Sequence, residues 1–390
     1  MKKTILSIIA FFCLGLSLIL NFINPINVYA NTSSEYTAKA LFLMDYNTNQ
    51  VLYENNSLNK MPVASIVKLM TICLTCQELD SGNLQLDNIV IASDKAASMG
   101  GSQVFIEAGG EYSVSDLLKS TIVSSANDAS VALAEEIAGS EENFVLLMNK
   151  KAKELGMQNT NYVNCTGLPA SNQFSCAKDT AILLKEVIKY KDYHKFSTIW
   201  IDTLKHNKGR ETELVNTNKL IRYYEGCDGG KTGSTNEAGY CLAATAKRGN
   251  MRLIGIVLGA ENGKLRFAET SKLLNYGFNN YENKLIVNKE EFLNEEVSIT
   301  NANQNYVKIK PYEDLFVLVN KTENLDNFEI KTKINKNIKA PIKSGEKVGE
   351  IYVVKNGEVV AFTNLVCVNN VNKSSIYDGI IKTINNWKIK

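Results

Sequence analysis

Three short polar motifs, far apart along the chain, constrain the fold of these 390 residues more than any other feature. Each motif is weak on its own, because a serine three residues before a lysine, or a Lys-Thr-Gly triplet, often arises by chance. Together they require a fold that brings a serine and two lysines into one site. In chain order they read Ser65-Ile66-Val67-Lys68, Ser125-Ala126-Asn127 and Lys231-Thr232-Gly233.

The first motif predicts an activated serine. Ser65 and Lys68 are three residues apart, so a helix places them on one face, and residues 65–79 have the apolar character of a largely buried helix. Pro62 indicates that this helix begins near Ser65, where its amides and dipole favour developing negative charge. A serine hydroxyl becomes a good nucleophile when a neighbouring group takes its proton. Lys68 can do so if burial and a second cation, for which Lys231 is the candidate, lower its pKa.

Residues that other catalytic classes require are scarce. The two histidines, His194 and His206, lie in polar stretches without a glycine-rich nucleophile turn, which disfavours a Ser-His-Asp triad. Few histidines and scattered cysteines also argue against a catalytic zinc site, and no phosphate-binding or dinucleotide-binding glycine motif is present. We therefore expect a serine enzyme without metal or cofactor. The formal net charge is +2 with dispersed basic residues, so nucleic acid is not an expected partner.

The N-terminus predicts an export signal. Two lysines precede an apolar run over residues 5–20, and the Val-Tyr-Ala sequence at 28–30 matches a small-residue cleavage site. An uncleaved anchor is the alternative, and both place the body of the protein outside the cytoplasm. Cleavage removes Cys13, one of eight cysteines. An odd number is left, which argues against a complete disulfide framework and leaves a Cys165–Cys176 bridge as an open alternative.

The composition changes near residue 283. Helix-like and strand-like segments mix before this point, whereas short runs at strand spacing follow it and predict a small all-β domain. Residues 328–334 alternate as a half-buried strand does, and Asn356-Gly357 predicts a tight hairpin turn. The predicted domains are a signal peptide (1–30), a catalytic domain (31–283), a β-rich domain (284–372) and an amphipathic helix (373–390).

Within the catalytic domain, the motifs fall at the ends of predicted elements. A hairpin is predicted over residues 38–54, and helices over 114–123 and 129–138, with Asn127 between them facing a cleft. Two strands, 239–246 and 251–258, follow the Lys-Thr-Gly motif, which we expect at the leading end of the first. Gly233 there lets a substrate backbone approach closely.

The last residues predict an amphipathic helix. Ile376, Ile380, Ile384 and Trp387 follow helical spacing, with lysines nearby, as in helices that lie in a membrane interface. A terminal helix docked on the protein is the alternative interpretation.

On the basis of these residues, the chain resembles the D-alanyl-D-alanine carboxypeptidases, which are low-molecular-weight penicillin-binding proteins. The order of the three motifs carries the resemblance, although Ala126 replaces the aspartate of the usual Ser-Asp-Asn form. The β-rich domain and the amphipathic tail are also family features. Further similar segments are residues 216–220, 226–235, 238–240 and 340–350.

The resemblance implies an α/β (α+β) catalytic domain with an antiparallel sheet flanked by helices, as in β-lactamases and transpeptidases. Ser65 would attack the carbonyl between the two terminal D-alanines of a peptidoglycan stem peptide, and Lys68 would take its proton. Ser125 and Asn127 would complete the polar network, with Ser125 passing a proton to the leaving D-alanine. The amides of Ser65 and Ser234 would form the oxyanion hole. The substrate-binding set implied is Lys231, Thr232, Gly233, Ser234 and Arg266, with a solvated surface position as the equal alternative for Arg266.

Two other functions stay open. A β-lactamase of this fold needs a glutamate to release its acyl group quickly, and residues 161–179 contain none. We therefore expect β-lactams to act as slowly released covalent inhibitors. A catalytically silent wall-binding protein is the second alternative, and the intact Ser65, Lys68, Asn127 and Lys231 count against it. The implied location is the outer face of the cytoplasmic membrane, with the C-terminal helix on the membrane surface.

Overall fold

The central feature of the first part of the chain is a five-stranded antiparallel sheet with strand order β2-β1-β9-β8-β7. The computed structural model describes residues 36–291, 293, 297–323 and 327–375. The predicted export signal and nearly all of the predicted terminal helix lie outside these residues. The sheet strands are β1 (Ala40–Asp45), β2 (Val51–Asn55), β7 (Cys227–Thr235), β8 (Gly239–Arg248) and β9 (Met251–Ala260).

The sheet forms where apolar runs are long enough to be buried. Most side chains of β1, β8 and β9 are buried, and β9 pairs with β1 on one side and β8 on the other. The predicted hairpin and the two predicted strands are thereby confirmed. Two short two-stranded antiparallel sheets accompany it: β3 (Ile89–Ile91) with β4 (Glu111–Ser113), and β5 (Ile201–Lys205) with β6 (Glu211–Val215).

Helices cover this sheet and build the core. The first, α1, is buried over its first nine residues, which agrees with the apolar pattern of its sequence. Helices α6 and α9 both pack against the sheet. Within the described residues, no helix is long and apolar enough to cross a membrane. The helices are α1 (Lys68–Asp80), α2 (Asp94–Ala97), α3 (Val114–Val123), α4 (Asn127–Ala138), α5 (Glu141–Glu154), α6 (Ala177–Val187), α7 (Lys191–Ser197), α8 (Leu220–Tyr223) and α9 (Gly263–Asn280).

Two expectations about motif positions are wrong in detail. Asn127 does not lie between helices but is the first residue of α4, because the chain turns at the preceding Ser125. The Lys-Thr-Gly motif does not lie at the leading end of the strand that follows it but inside β7, an edge strand of the sheet, where Thr232 pairs with Leu242 of β8. Pairing with β8 supplies the strand structure that the glycine-rich sequence of β7 does not itself favour.

The second part of the chain is all β, as predicted. Its four-stranded sheet has the order β13-β17-β16-β15, and β10 pairs with β14 and β11 with β12. The strand over residues 328–334 is not half-buried, since Ile330 is 54% exposed. It is one of the two edge strands of its sheet. The strands are β10 (Tyr281–Val287), β11 (Val297–Ser298), β12 (Tyr306–Val307), β13 (Ile309–Pro311), β14 (Leu315–Asn320), β15 (Phe328–Ile334), β16 (Lys347–Lys355) and β17 (Glu358–Cys367).

All seven cysteines in the described part of the chain are buried and free. The alternative of a Cys165–Cys176 bridge is therefore wrong. Burial raises the pKa of the Cys176 thiol to about 11, so that it remains protonated at neutral pH and packs as a small apolar side chain.

Candidate active site

The predicted nucleophile lies on a tight turn at the entrance to α1. Ser65 belongs to a 3-10 turn, Ala64–Val67, which leads directly into the helix at Lys68. Ala64 has a left-handed φ of 50°, a strained conformation for a residue with a Cβ. The residues on either side of Ser65 are buried, whereas Ser65 itself is only half-buried. Such strain is common at functional sites, and here it presents one hydroxyl to the cleft.

Two glycines hold this turn in place. A Cβ on Gly233 would fall 2.7 Å from the carbonyl oxygen of Val63 and 3.0 Å from the amide nitrogen of Ser65. A Cβ on Gly167 would overlap the carbonyl oxygen of Ala64. Only glycine at these two positions lets the backbone come this close to residues 63–65 without displacing the turn. The third motif and the loop around residue 167 therefore meet at the serine.

Lys68 is buried next to the serine hydroxyl. Its Nζ donates to Oγ of Ser65 at 3.1 Å and to the carbonyl oxygen of Thr166 at 2.5 Å. Burial lowers the pKa of Lys68 to about 7, although the negative charge of Asp128 acts in the opposite direction. A substantial fraction of neutral amine is therefore present near pH 7. Such an amine can accept the proton of the Ser65 hydroxyl.

The second lysine is buried on the edge strand. Lys231 is 1% exposed, and its Nζ donates to the carbonyl oxygen of Thr232 at 3.2 Å. Its pKa is well below that of free lysine, first because of burial and then because of the positive charges of Lys68 and Arg266. Since Lys68 and Lys231 repel each other as cations, their titrations are coupled.

The second motif contributes a buried amide. Ser125 is 3% exposed and has a left-handed φ of 61° at the turn before α4. Nδ2 of Asn127 donates to the carbonyl oxygen of Gly100 at 2.6 Å. Oδ1 of Asn127 is buried and, among the described residues, has no hydrogen-bond partner. No hydrogen bond within that part of the chain joins Asn127 directly to Ser65 or Lys68, so its oxygen is available to a ligand.

The remaining predicted binding residues surround the edge strand. Oγ1 of Thr232 donates to Oγ1 of Thr217 at 2.8 Å, and Ser234 is exposed. Nη1 of Arg266 donates to the carbonyl oxygens of Gly233 at 3.3 Å and Cys241 at 3.4 Å. Arg266 is therefore partly buried beside the motif rather than extended into solvent. In the described chain it forms no ion pair, so a ligand anion can supply the countercharge.

Sequence reasoning missed the groups that organise the site from outside the motifs. Thr166 acts through a backbone carbonyl, which any residue type supplies and which leaves no signal in a sequence. Asp128 accepts from the amides of Val104, at 3.0 Å, and Ile106, at 3.2 Å, and so fixes the loop next to Asn127. Asp128 directly follows the second motif in the sequence, and this position is the signal from which its role could have been predicted.

The histidines and acidic residues do not form an alternative centre. Nδ1 of His206 is 3.0 Å from the hydroxyl of Tyr112 and its Nε2 is 2.8 Å from Oγ1 of Thr212. Nε2 of His194 is 2.8 Å from the carbonyl oxygen of Ile188. Across the described ranges, no three His, Cys, Asp or Glu side chains are grouped as metal ligands are. Within the described part of the chain, neither histidine forms a hydrogen bond with a serine hydroxyl.

The sequence and the fold both resemble those of known proteins. Residues 27–262 match the model described as D-alanyl-D-alanine carboxypeptidase, and residues 281–373 match that of the penicillin-binding protein 5 C-terminal domain. D-alanyl-D-alanine carboxypeptidase DacF of Bacillus subtilis is 40% identical over 352 residues, covering 90% of each chain. Penicillin-binding protein 5 of Haemophilus influenzae superposes with a TM-score of 0.72 at 32% identity, covering 87% of this chain and 98% of that one. Ampicillin-bound penicillin-binding protein D2 of Listeria monocytogenes gives a TM-score of 0.56 at 32% identity, covering 63% and 99%.

Proposed function

Because the chain belongs to the D-alanyl-D-alanine carboxypeptidase family and is a serine hydrolase of that type, we propose that Ser65 is its nucleophile. Its substrate is then a peptidoglycan stem peptide, from which it removes the terminal D-alanine. The observation that carries this assignment is the contact between Nζ of Lys68 and Oγ of Ser65 at 3.1 Å. A lysine whose pKa is about 7 is a base suited to neutral pH.

In the acylation step, Oγ of Ser65 attacks the carbonyl carbon between the two D-alanines while its proton passes to Nζ of Lys68. The oxygen of the tetrahedral intermediate accepts hydrogen bonds from the amides of Ser65 and Ser234. Preorganised donors of this kind each contribute about 3 kcal/mol to catalysis. The C–N bond then breaks, and the proton returns through the Ser125 hydroxyl to the amine of the leaving D-alanine.

The same proposal assigns the substrate's terminal carboxylate to the edge of β7. Lys231, Thr232 and Arg266 meet there, and the cations have no carboxylate partner in the described residues. The unpartnered Oδ1 of Asn127 is suited to accept an N–H of the peptide. Gly233 supports this role because its lack of a side chain keeps β7 close to Ser65.

Deacylation distinguishes this function from that of a β-lactamase. The loop that contacts Lys68 offers the carbonyl oxygen of Thr166, and residues 161–179 contain no glutamate to activate water. We infer that β-lactams acylate Ser65 and leave slowly. A silent wall-binding protein is disfavoured, because a scaffold needs neither a buried lysine with a lowered pKa nor a strained serine turn.

Our proposal for cellular location follows the predicted segments. Residues 1–30 direct export, residues 31–283 and 284–372 form the catalytic and β-rich domains, and residues 373–390 lie on the membrane surface. Deleting residues 374–390 should abolish co-sedimentation with anionic vesicles and leave acylation of Ser65 unchanged. Equal sedimentation of both proteins contradicts the anchor and favours a docked terminal helix.

Release of D-alanine tests the proposed activity. The protein should liberate D-alanine from a diacetylated L-Lys-D-Ala-D-Ala tripeptide, and Ser65→Ala should reduce the rate to background. A thermal unfolding scan on both proteins shows whether the fold survives the substitution. Release by a folded Ser65→Ala variant at the parental rate contradicts the assignment of the nucleophile.

A further inference from the structure

A pocket of about 580 Å³ opens beside the Lys-Thr-Gly strand, between α8 and the first turns of α9. It is far larger than the methyl group of a D-alanine side chain. Its lining combines apolar walls with basic side chains, and none of the described residues that line it is acidic. The residues that matter below are the apolar Leu220, Tyr223 and Phe267 and the basic Lys219, Lys264 and Arg266.

Two hydrogen bonds link the lining of this pocket to the strand that carries the proposed carboxylate site. Thr217 lines the pocket and accepts the hydrogen bond from Oγ1 of Thr232. Arg266 also lines it and donates to the carbonyl oxygen of Gly233. A substrate whose terminal carboxylate lies against Thr232 and Arg266 would place its leaving residue next to two residues of the pocket lining, Thr217 and Arg266.

The charge of the pocket is unbalanced. Lys219 and Lys264 are exposed, and neither forms an ion pair with any residue in the described ranges. Tyr223 is 70% exposed, and its ring packs edge to face against Trp200 at a centroid distance of 6.0 Å. A cleft lined by one sign of charge attracts groups of the opposite sign. A ligand that fits this pocket therefore has an apolar part, which contacts the apolar walls, and a negatively charged group, which contacts the lysines.

We propose that the pocket recognises a second carboxylate on the leaving side of the scissile bond. The enzyme then hydrolyses peptides with a large, acidic leaving residue in preference to neutral peptides of the same shape. This inference rests on the proposed function, since the bond broken and the roles of Ser65 and Lys68 are unchanged. It concerns only what occupies the space beyond the D-alanine position.

A pair of isosteric substrates tests the charge directly. Diacetylated L-Lys-D-Ala-D-Glu and L-Lys-D-Ala-D-Gln differ in one carboxylate, and L-Lys-D-Ala-D-Ala reports the basal activity. We expect kcat/KM for the D-Glu peptide to exceed that for the D-Gln peptide by about threefold to fivefold, as partly exposed ion pairs allow. Raising the salt concentration should reduce this ratio.

Variants locate the effect in the pocket. The double substitution Lys219→Gln/Lys264→Gln should bring the D-Glu to D-Gln ratio to about 1 and leave D-Ala-D-Ala hydrolysis unchanged. Lys153→Gln removes the same charge from an exposed position on α5 and should leave the ratio as it is. A ratio near 1 in the parent protein, or a ratio that survives the double substitution, overturns the inference while leaving the proposed function intact. Failure to hydrolyse any of the three peptides overturns both.

Discussion

Nζ of Lys68 lies 3.1 Å from Oγ of Ser65, and its other hydrogen-bond partner is a backbone carbonyl rather than a carboxylate. Burial lowers the pKa of Lys68 to about 7, and no carboxylate among the described residues forms an ion pair that would hold its proton. The neutral amine, which is the form able to act as a base, therefore predominates above pH 7.

The first prediction is a pH profile. The rate of acylation by penicillin should rise with pH through an apparent pKa near 7 and become constant by about pH 8.5. Because the Lys231 titration is coupled to that of Lys68, the observed value belongs to the pair. Stopped-flow measurement of acylation between pH 5.5 and 9 checks it. A rate that is flat or falls across this range contradicts a lysine base.

The second prediction concerns the chemical identity of that base. Lys68→Arg should lower the acylation rate constant about 100- to 10,000-fold, because arginine keeps its proton at every working pH. The same exchange at Lys150, which is exposed on α5, serves as the matched control and should have no effect. Near-parental acylation by Lys68→Arg points to a different proton acceptor.

The third prediction uses the buried amine as a stability probe. Lys68 has a pKa of about 7 when folded, against 10.5 for an unperturbed lysine. Between these values the unfolded chain binds one more proton, so this residue makes the free energy of unfolding rise with pH. Lys68→Met should remove that contribution, which approaches about 1.4 kcal/mol per pH unit.

Urea unfolding of both proteins at pH 7.5, 8.5 and 9.5 measures this difference in slope. Contributions from buried thiols and tyrosines are common to both proteins and cancel. Parallel pH dependences for Lys68→Met and the parent mean that Lys68 is charged in the folded state, contrary to its proposed role.

The fourth prediction separates the position of Ser65 from general stability. Gly167 and Gly156 have similar left-handed φ values, 82° and 75°, but a Cβ at 167 overlaps the Ala64 carbonyl whereas one at 156 meets nothing within 4 Å. Both alanine variants should lose similar backbone free energy. Only Gly167→Ala should also slow acylation, by about 100-fold, because it displaces the nucleophile turn. Equal acylation rates for the two variants contradict the proposed contact.

Elements that bury long apolar segments could be predicted from the sequence, whereas features that depend on pairing or on backbone groups could not. Residues 65–79 and the strands β8 and β9 were predictable, because long apolar segments have to be buried. The strand β7 was not predictable, because its glycine-rich sequence forms a strand only by pairing with β8. Its glycine at position 233 is explained by the close contact between β7 and the Ser65 turn, which a sequence does not reveal. The carbonyl of Thr166 carries no side-chain signal at all. In β15 the alternation is present, but alternation does not reveal which strand ends up at an edge.

Intact-mass spectrometry after exposure to penicillin, followed by peptide mapping, tests the central assignment most directly. We expect the protein to gain the mass of one whole penicillin, because opening the β-lactam ring expels no leaving group. The adduct should persist after free penicillin is removed, map to Ser65 and be absent from Ser65→Ala. An unchanged mass in folded protein, or an adduct on a peptide that lacks Ser65, contradicts it.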